Sequence, residues 1–212
     1  MAAGRRVVIR DDRRILLIAV GAGLALGVLT QLGQRLLPDA VEPVANAISP
    51  WLAVAFFVGS RTRTPRVAAL CGWIALVLAL VAYYAMVWLQ LGYGASSSSL
   101  VLWTVAALAG GVVFGPAGWA SRHANPPAAA AATGLLAAAF IAEAVYLNVV
   151  LQPEAKPATV IFAAVGLLIP LVLGTSARNR LLAYLAIVPA LVLATAGYVA
   201  LLVLGLVGLA GT

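Results

Sequence analysis

Residues 44–66, VANAISPWLAVAFFVGSRTRTPR, decide how many times this chain changes sides of a membrane. Run 44–60 is apolar enough to enter a bilayer, but Pro50 interrupts it, because proline has no amide hydrogen and its ring clashes with the preceding helical turn. The ideal helix left over, 50–60, is too short for a hydrocarbon core about 30 Å thick, which takes about 20 helical residues. On length alone the run reads as a re-entrant segment. The arginines that follow it, Arg61, Arg63 and Arg66, argue the other way. Arg5, Arg6, Arg10, Arg13 and Arg14 precede the first long apolar run, Arg122 follows the fourth, and Arg178 and Arg180 follow the sixth. Only Arg35 and Lys156 lie in the other gaps. If 44–60 crosses, eleven of the thirteen cations share one side, as the positive-inside rule requires. If it does not cross, that asymmetry collapses.

The predicted fold class is therefore all-α, a polytopic transmembrane helical bundle of about seven spans. The spans are 15–32, 44–60, 67–90, 100–120, 128–151, 158–175 and 181–209, with the N-terminus inside and the C-terminus outside. They form one integral-membrane domain, 1–212, preceded by a basic cytoplasmic segment, 1–14. Composition agrees: 64% of residues are hydrophobic and 9% charged, against about 25% charged in soluble domains. The partner implied first is the lipid bilayer, of the bacterial cell membrane if the Arg-over-Lys and Ala, Val and Leu bias reflects a GC-rich genome. The net charge of +7 flanks the spans instead of forming a face, so it reports topology and not nucleic-acid binding. Run 15–32 is longer than the apolar core of a cleavable signal peptide and is expected to stay as a signal anchor. The lone Cys71 allows no internal disulfide and reads as a small packing residue.

In lipid, helices associate through close packing of small residues. Gly23 with Gly27, and Gly111 with Gly115, have the four-residue spacing of such interfaces, and Thr30 and Gln34 continue the first face outward. The alanine-rich fifth run is expected inside the bundle. Pro116, Pro170 and Pro189 fall within the fourth, sixth and seventh runs, as static kinks or as hinges of an inner gate.

Glu143 is the only acidic residue within the six long spans. It lies roughly 12 Å below the outer end of its helix, at 1.5 Å per residue. A charge near the bilayer centre costs about 2.5–3.5 kcal/mol on insertion scales, so such residues face the bundle interior and often mark a site. With no Lys, Arg or His in the spans to pair with it, its expected partners are hydroxyls, amides, waters, a bound cation or a protonated ligand. Other polar groups gather at similar depth: Gln31 and Gln34 on the first helix, Asn46 and Ser49 at the start of the second, Tyr83 and Tyr84 on the third, Thr195 and Tyr198 on the seventh. Tyr146 shares the face of Glu143, and Asn148 points away. Trp88, Gln90 and Tyr93 fit an interfacial aromatic belt. Glu143, Tyr146, Tyr83, Tyr84, Asn46 and Gln31 are the candidate ligand-binding residues, around an outward-facing polar pocket that suits a small cationic or amine-bearing ligand. Ser49 followed by Pro50 reads either as a plain helix start or as a broken helix whose first amides face that pocket.

No phosphate-binding G-x-x-x-x-G-K-[ST] loop occurs, and the single histidine, His123, is in an inner loop. Zinc-protease, bis-histidine haem, rhomboid and intramembrane aspartyl-protease chemistries lack their residues. The chain is expected not to be an enzyme and to carry no cofactor or metal. Asn46, Ser49, Pro50, Trp51 and Leu52 leading into Ala55 and Phe56, then Tyr83 and Tyr84, Gly115 and Pro116, and Glu143 resemble a family of small actinobacterial integral membrane proteins of unknown function. That resemblance implies location and architecture over nearly the whole chain. A more distant similarity is to the substrate-binding membrane subunits of energy-coupling-factor vitamin transporters, which have six helices and both termini inside. Two function classes follow: a transport-related or ligand-binding protein, and a structural or assembly subunit packed against a membrane protein partner. An intramembrane enzyme acting on lipid comes third.

Overall fold

The computed structural model describes residues 2–92, 94, 96–151 and 156–203, with side chains over 13–92, 94, 96–97, 99–149 and 156–194. Seven α-helices account for most of it: α1 (Ala2–Leu36), α2 (Ser49–Gly59), α3 (Pro65–Leu91), α4 (Ser97–His123), α5 (Pro126–Tyr146), α6 (Lys156–Leu173) and α7 (Ala177–Val203). All but α2 contain a stretch long and apolar enough to cross a membrane. Their ends follow capping chemistry. Thr64 Oγ1 accepts from Val67 N before Pro65, Asn125 Oδ1 accepts from Ala128 N before Pro126, and Ser96 Oγ accepts from Ser99 N. Gly92 closes α3 with φ of 73°, a left-handed conformation in which a Cβ is strained. The helix that begins at Ala2 runs on through the basic segment 1–14 without a break.

The direction of α1 against α3 shows which way run 44–60 travels along the bundle. Gly23 lies on Ala75, Gly27 on Ala79 and Tyr83, and Gln31 hydrogen-bonds Gln90. The two helices are therefore parallel, and the chain between them must travel back along the bundle. It does so in two parts. From Leu36 it passes through a 3-10 turn, Glu42–Val44, close to the end of α1, where Ala45 touches Gly33. Helix α2 then continues to Gly59, which rests on the Gly115 carbonyl near the end of α4. At 1.5 Å per residue, the eleven residues of α2 cover only about 16 Å. Run 44–60 is thus α-helical only over its later part, 49–59. It runs back along the bundle, and Pro50 sits in the first turn of its helical part, where a missing amide hydrogen is tolerated.

Arg61 and Arg63 after α2, Arg66 in the first turn of α3, Arg122 in the last turn of α4 and Arg178 and Arg180 in the first turn of α7 are thereby brought to one end of the bundle, with Arg13 and Arg14 of α1. Near this end α2, α3 and α4 meet main chain to main chain. A Cβ on Gly59 would meet Gly115, one on Gly115 would meet Ala68, and one on Gly118 would meet the Phe56 carbonyl. Gly72 and Gly111 continue the α3–α4 contact. Both small-residue pairs singled out in the sequence are at interfaces, and Cys71 is buried among Ile15, Ala19, Val58 and Ala75. Alanine-rich α5 is the most enclosed of the six long helices and packs on α7, α6, α4 and α2. Pro116, Pro170 and Pro189 lie inside α4, α6 and α7.

Candidate functional site

The site forms where α2 begins. Because Pro50 has no amide hydrogen, the donors at this helix start are the amides of Ile48 and Ser49 and those just after the proline. A helix end in the bundle interior has no water to satisfy them. Glu143 of α5 supplies the acceptor: its Oε2 takes the Ile48 amide at 3.0 Å and the Ser49 amide at 3.2 Å. The residue is 5% exposed and Ser49 1%. The carboxylate also opposes the positive end of the α2 dipole. Two oxygens remain without a hydrogen-bond partner among the described residues: Glu143 Oε1, and Ser49 Oγ, which is fully enclosed. Four residues past Glu143 the helix widens into a π turn, Leu147–Leu151, whose first amide reaches the Glu143 and Ala144 carbonyls.

A second cluster pins the segment just before α2. Tyr83 OH donates to Gln34 Oε1 at 3.0 Å, and Gln34 Nε2 donates to Asn46 Oδ1 at 3.0 Å. Beside it, Gln90 Oε1 accepts from Arg35 Nη1 at 2.9 Å and from Gln31 Nε2 at 3.3 Å. Gln31 is 5% exposed and its own Oε1 has no partner among the described residues. The Tyr83 ring meets Trp51 of α2 and Tyr84 edge to face, with centroids 6.4 and 5.1 Å away.

The six sequence candidates therefore separate into two neighbouring groups. Tyr83, Tyr84, Asn46 and Gln31 gather between α1, α3 and the segment before α2. Glu143 sits on α5 across the α2 start, with Tyr146, half-buried, one turn further on. The segment 46–49 joins the two, since Asn46 belongs to the first and Ile48 and Ser49 to the second. Asn148 is exposed, as its position five residues on requires, and Trp88 is exposed as a belt residue should be. Gln90 departs from the belt expectation: it is an acceptor shared by Gln31 and Arg35. Tyr93 and the side chains of Thr195 and Tyr198 lie outside the described residues. The principal partners of Glu143, two main-chain amides, belong to the expected class, but no side chain advertises which residues donate them.

One family model, described as a family of unknown function (DUF6518), matches residues 8–204. The chain belongs to this family. No curated protein matches it, and no solved structure does. Membership agrees with the resemblance to a family without an assigned activity, and the six apolar helices mark this member as a multi-pass membrane protein.

Proposed function

We propose that this protein is a transport-related or ligand-binding protein of the bacterial cell membrane, and that its site is the break before α2. The observation that carries the reading is the buried carboxylate of Glu143 holding the first amides of an interrupted helix. Interrupted helices with polar groups at the break are a recurrent device for ligand and ion sites in transporters. The free oxygens at Glu143 Oε1 and Ser49 Oγ, with the rings of Trp51, Tyr83 and Tyr84 nearby, suit a small cation or amine. Ligation by Ser49 Oγ, which is fully enclosed, would require segment 46–49 to move, and that segment is tied to α1 and α3 through Gln34. Binding is then coupled to movement of the α2 start, which is what a gate needs. No catalytic role is assigned: the spans hold one acid where general acid–base chemistry takes two groups.

The test is thermal stability of the detergent-purified protein against a library of amines and monovalent and divalent cations, run in parallel on Glu143→Gln. A stabilising compound whose effect disappears in the variant supports the reading. A folded variant that responds as the wild type does sinks it.

A second reading, a structural or assembly subunit, is favoured by the same hydrogen bonds, since they give one carboxylate oxygen of Glu143 two main-chain donors with no ligand present. It predicts that a membrane protein partner co-purifies with wild type and Glu143→Gln alike.

A further inference from the structure

At the opposite, cationic end, a cleft of about 190 Å³ opens between the α4–α5 turn, the first two turns of α5 and the α6–α7 turn. This is smaller than the roughly 300–1,000 Å³ of sites for drug-sized ligands. Its polar lining is Ser121, Arg122, Thr133, Thr175 and Asn179. Their hydrogen bonds sort them into two kinds. Ser121 and Thr133 spend their hydroxyl protons on the carbonyls of Gly118 and Ala129, leaving lone pairs. Thr175 Oγ1 instead accepts from Asn179 Nδ2 at 2.9 Å, so its own proton is unspent, and Asn179 keeps a second Nδ2 hydrogen. The Arg122 guanidinium has no hydrogen bond or ion pair among the described residues. Arg180 donates its Nε to the carbonyl of the lining residue Gly174 at 3.1 Å.

No carboxylate lines the cleft, and neither of the two turns that form it contains an Asp or Glu. The unspent donors of Thr175 and Asn179 and the exposed guanidinium of Arg122 suit an anion with several oxygens, and the planar guanidinium fork suits phosphate. The lone pairs left on Ser121 and Thr133 suit hydroxyl donors. Basic pockets between transmembrane helices near the membrane surface are places where phospholipid headgroups settle.

We propose that this cleft binds the phosphate ester of a small polyol, with Arg122, Thr175 and Asn179 on the phosphate and Ser121 and Thr133 on the polyol hydroxyls. The same chemistry is offered by a phosphatidylglycerol headgroup and by free glycerol 3-phosphate. The site is independent of Glu143 and stands whether or not the break before α2 binds a ligand.

The experiment is thermal unfolding of the full chain in phosphatidylcholine nanodiscs, with either phosphatidylglycerol in the disc or glycerol 3-phosphate in solution. Variants are Arg122→Gln, Thr175→Val and, as a charge-matched control away from the cleft, Arg66→Gln. Stabilisation by phosphatidylglycerol alone identifies a lipid site; stabilisation by glycerol 3-phosphate in phosphatidylcholine discs identifies a soluble ligand. In either case Arg122→Gln should raise the half-saturating concentration at least tenfold, Thr175→Val by a few-fold, and Arg66→Gln not at all. The proposal is overturned if neither probe stabilises the wild type. It is equally overturned if Arg66→Gln loses as much as Arg122→Gln, since the response would then be to surface charge in general.

Discussion

Toward the cationic end, α2, α3 and α4 touch through Gly59, Gly72, Gly115 and Gly118, with no side chain between their backbones; toward the other, α1, α3 and the segment before α2 are joined by Gln34, Asn46, Tyr83 and the carboxylate of Glu143. Both regions involve α3 and the chain of α2, the first joining them to α4 and the second to α1 and, through Glu143, to α5. The first does so by removing volume, which works in lipid because dispersion rewards close approach. The second does so by matching donors to acceptors, which non-helical backbone inside the bundle requires. The first should be sensitive to size and indifferent to polarity, and the second the reverse.

The largest effect expected from breaking this contrast is at Gly118 or Gly115. A leucine at either would overlap the backbone of Phe56 or Ala68. Ordinary overpacking costs about 1–3 kcal/mol, and here no side chain can rotate away. Loss of the monodisperse peak in detergent size-exclusion chromatography is the expected result; a well-behaved Gly118→Leu would show that the helices are not clamped there. Next comes Glu143→Ala, which strands the Ile48 and Ser49 amides. Leaving a buried donor unsatisfied costs about 1–3 kcal/mol, and Glu143→Gln should recover part of it, because its amide oxygen still accepts. Thermal unfolding of the two variants side by side checks the order.

Smaller still is Tyr83→Phe, which removes the bond to Gln34 without changing shape. Bonds of this kind between membrane helices average about 0.6 kcal/mol. Its combination with Glu143→Gln sharpens the comparison: if both pin segment 46–49, the double variant should depart from additivity, whereas Tyr83→Phe with Gly111→Ala should add. The smallest effect is expected at Gly21→Ala. Nothing lies within 4 Å of the new Cβ, so stability should stay within about 0.5 kcal/mol of the wild type.

How much of this was legible in the sequence divides along the same line. Small-residue spacing exposed the Gly23–Gly27 and Gly111–Gly115 faces because close packing leaves a compositional mark. The arginine pattern implied that 44–60 changes ends, and the parallel packing of α1 on α3 requires the same. Pro50 marked where the helix would begin, but the length criterion could not distinguish a re-entrant run from a passage that is partly non-helical. Glu143 stood out because a carboxylate in an apolar span has few explanations. Its partners did not, since every residue except proline carries an amide. Gln90 resembled a belt residue because sequence position gives depth along a helix but not which neighbour lies opposite. The cleft around Arg122 left no trace for another reason: Ser121, Thr133, Thr175 and Asn179 are individually ordinary, and only the folding of two separate turns against one another brings them together.

The bond between Glu143 and the Ile48 amide joins residues 95 apart in the chain, and that separation has a consequence for biogenesis. When α2 leaves the ribosome, it is too short to span a bilayer and its first amides have no acceptor. It can be held only as part of a hairpin with α3, whose apolar length is sufficient. The cap arrives three helices later, when α5 is inserted. Until then the first amides of α2 lack the acceptor that the finished bundle gives them.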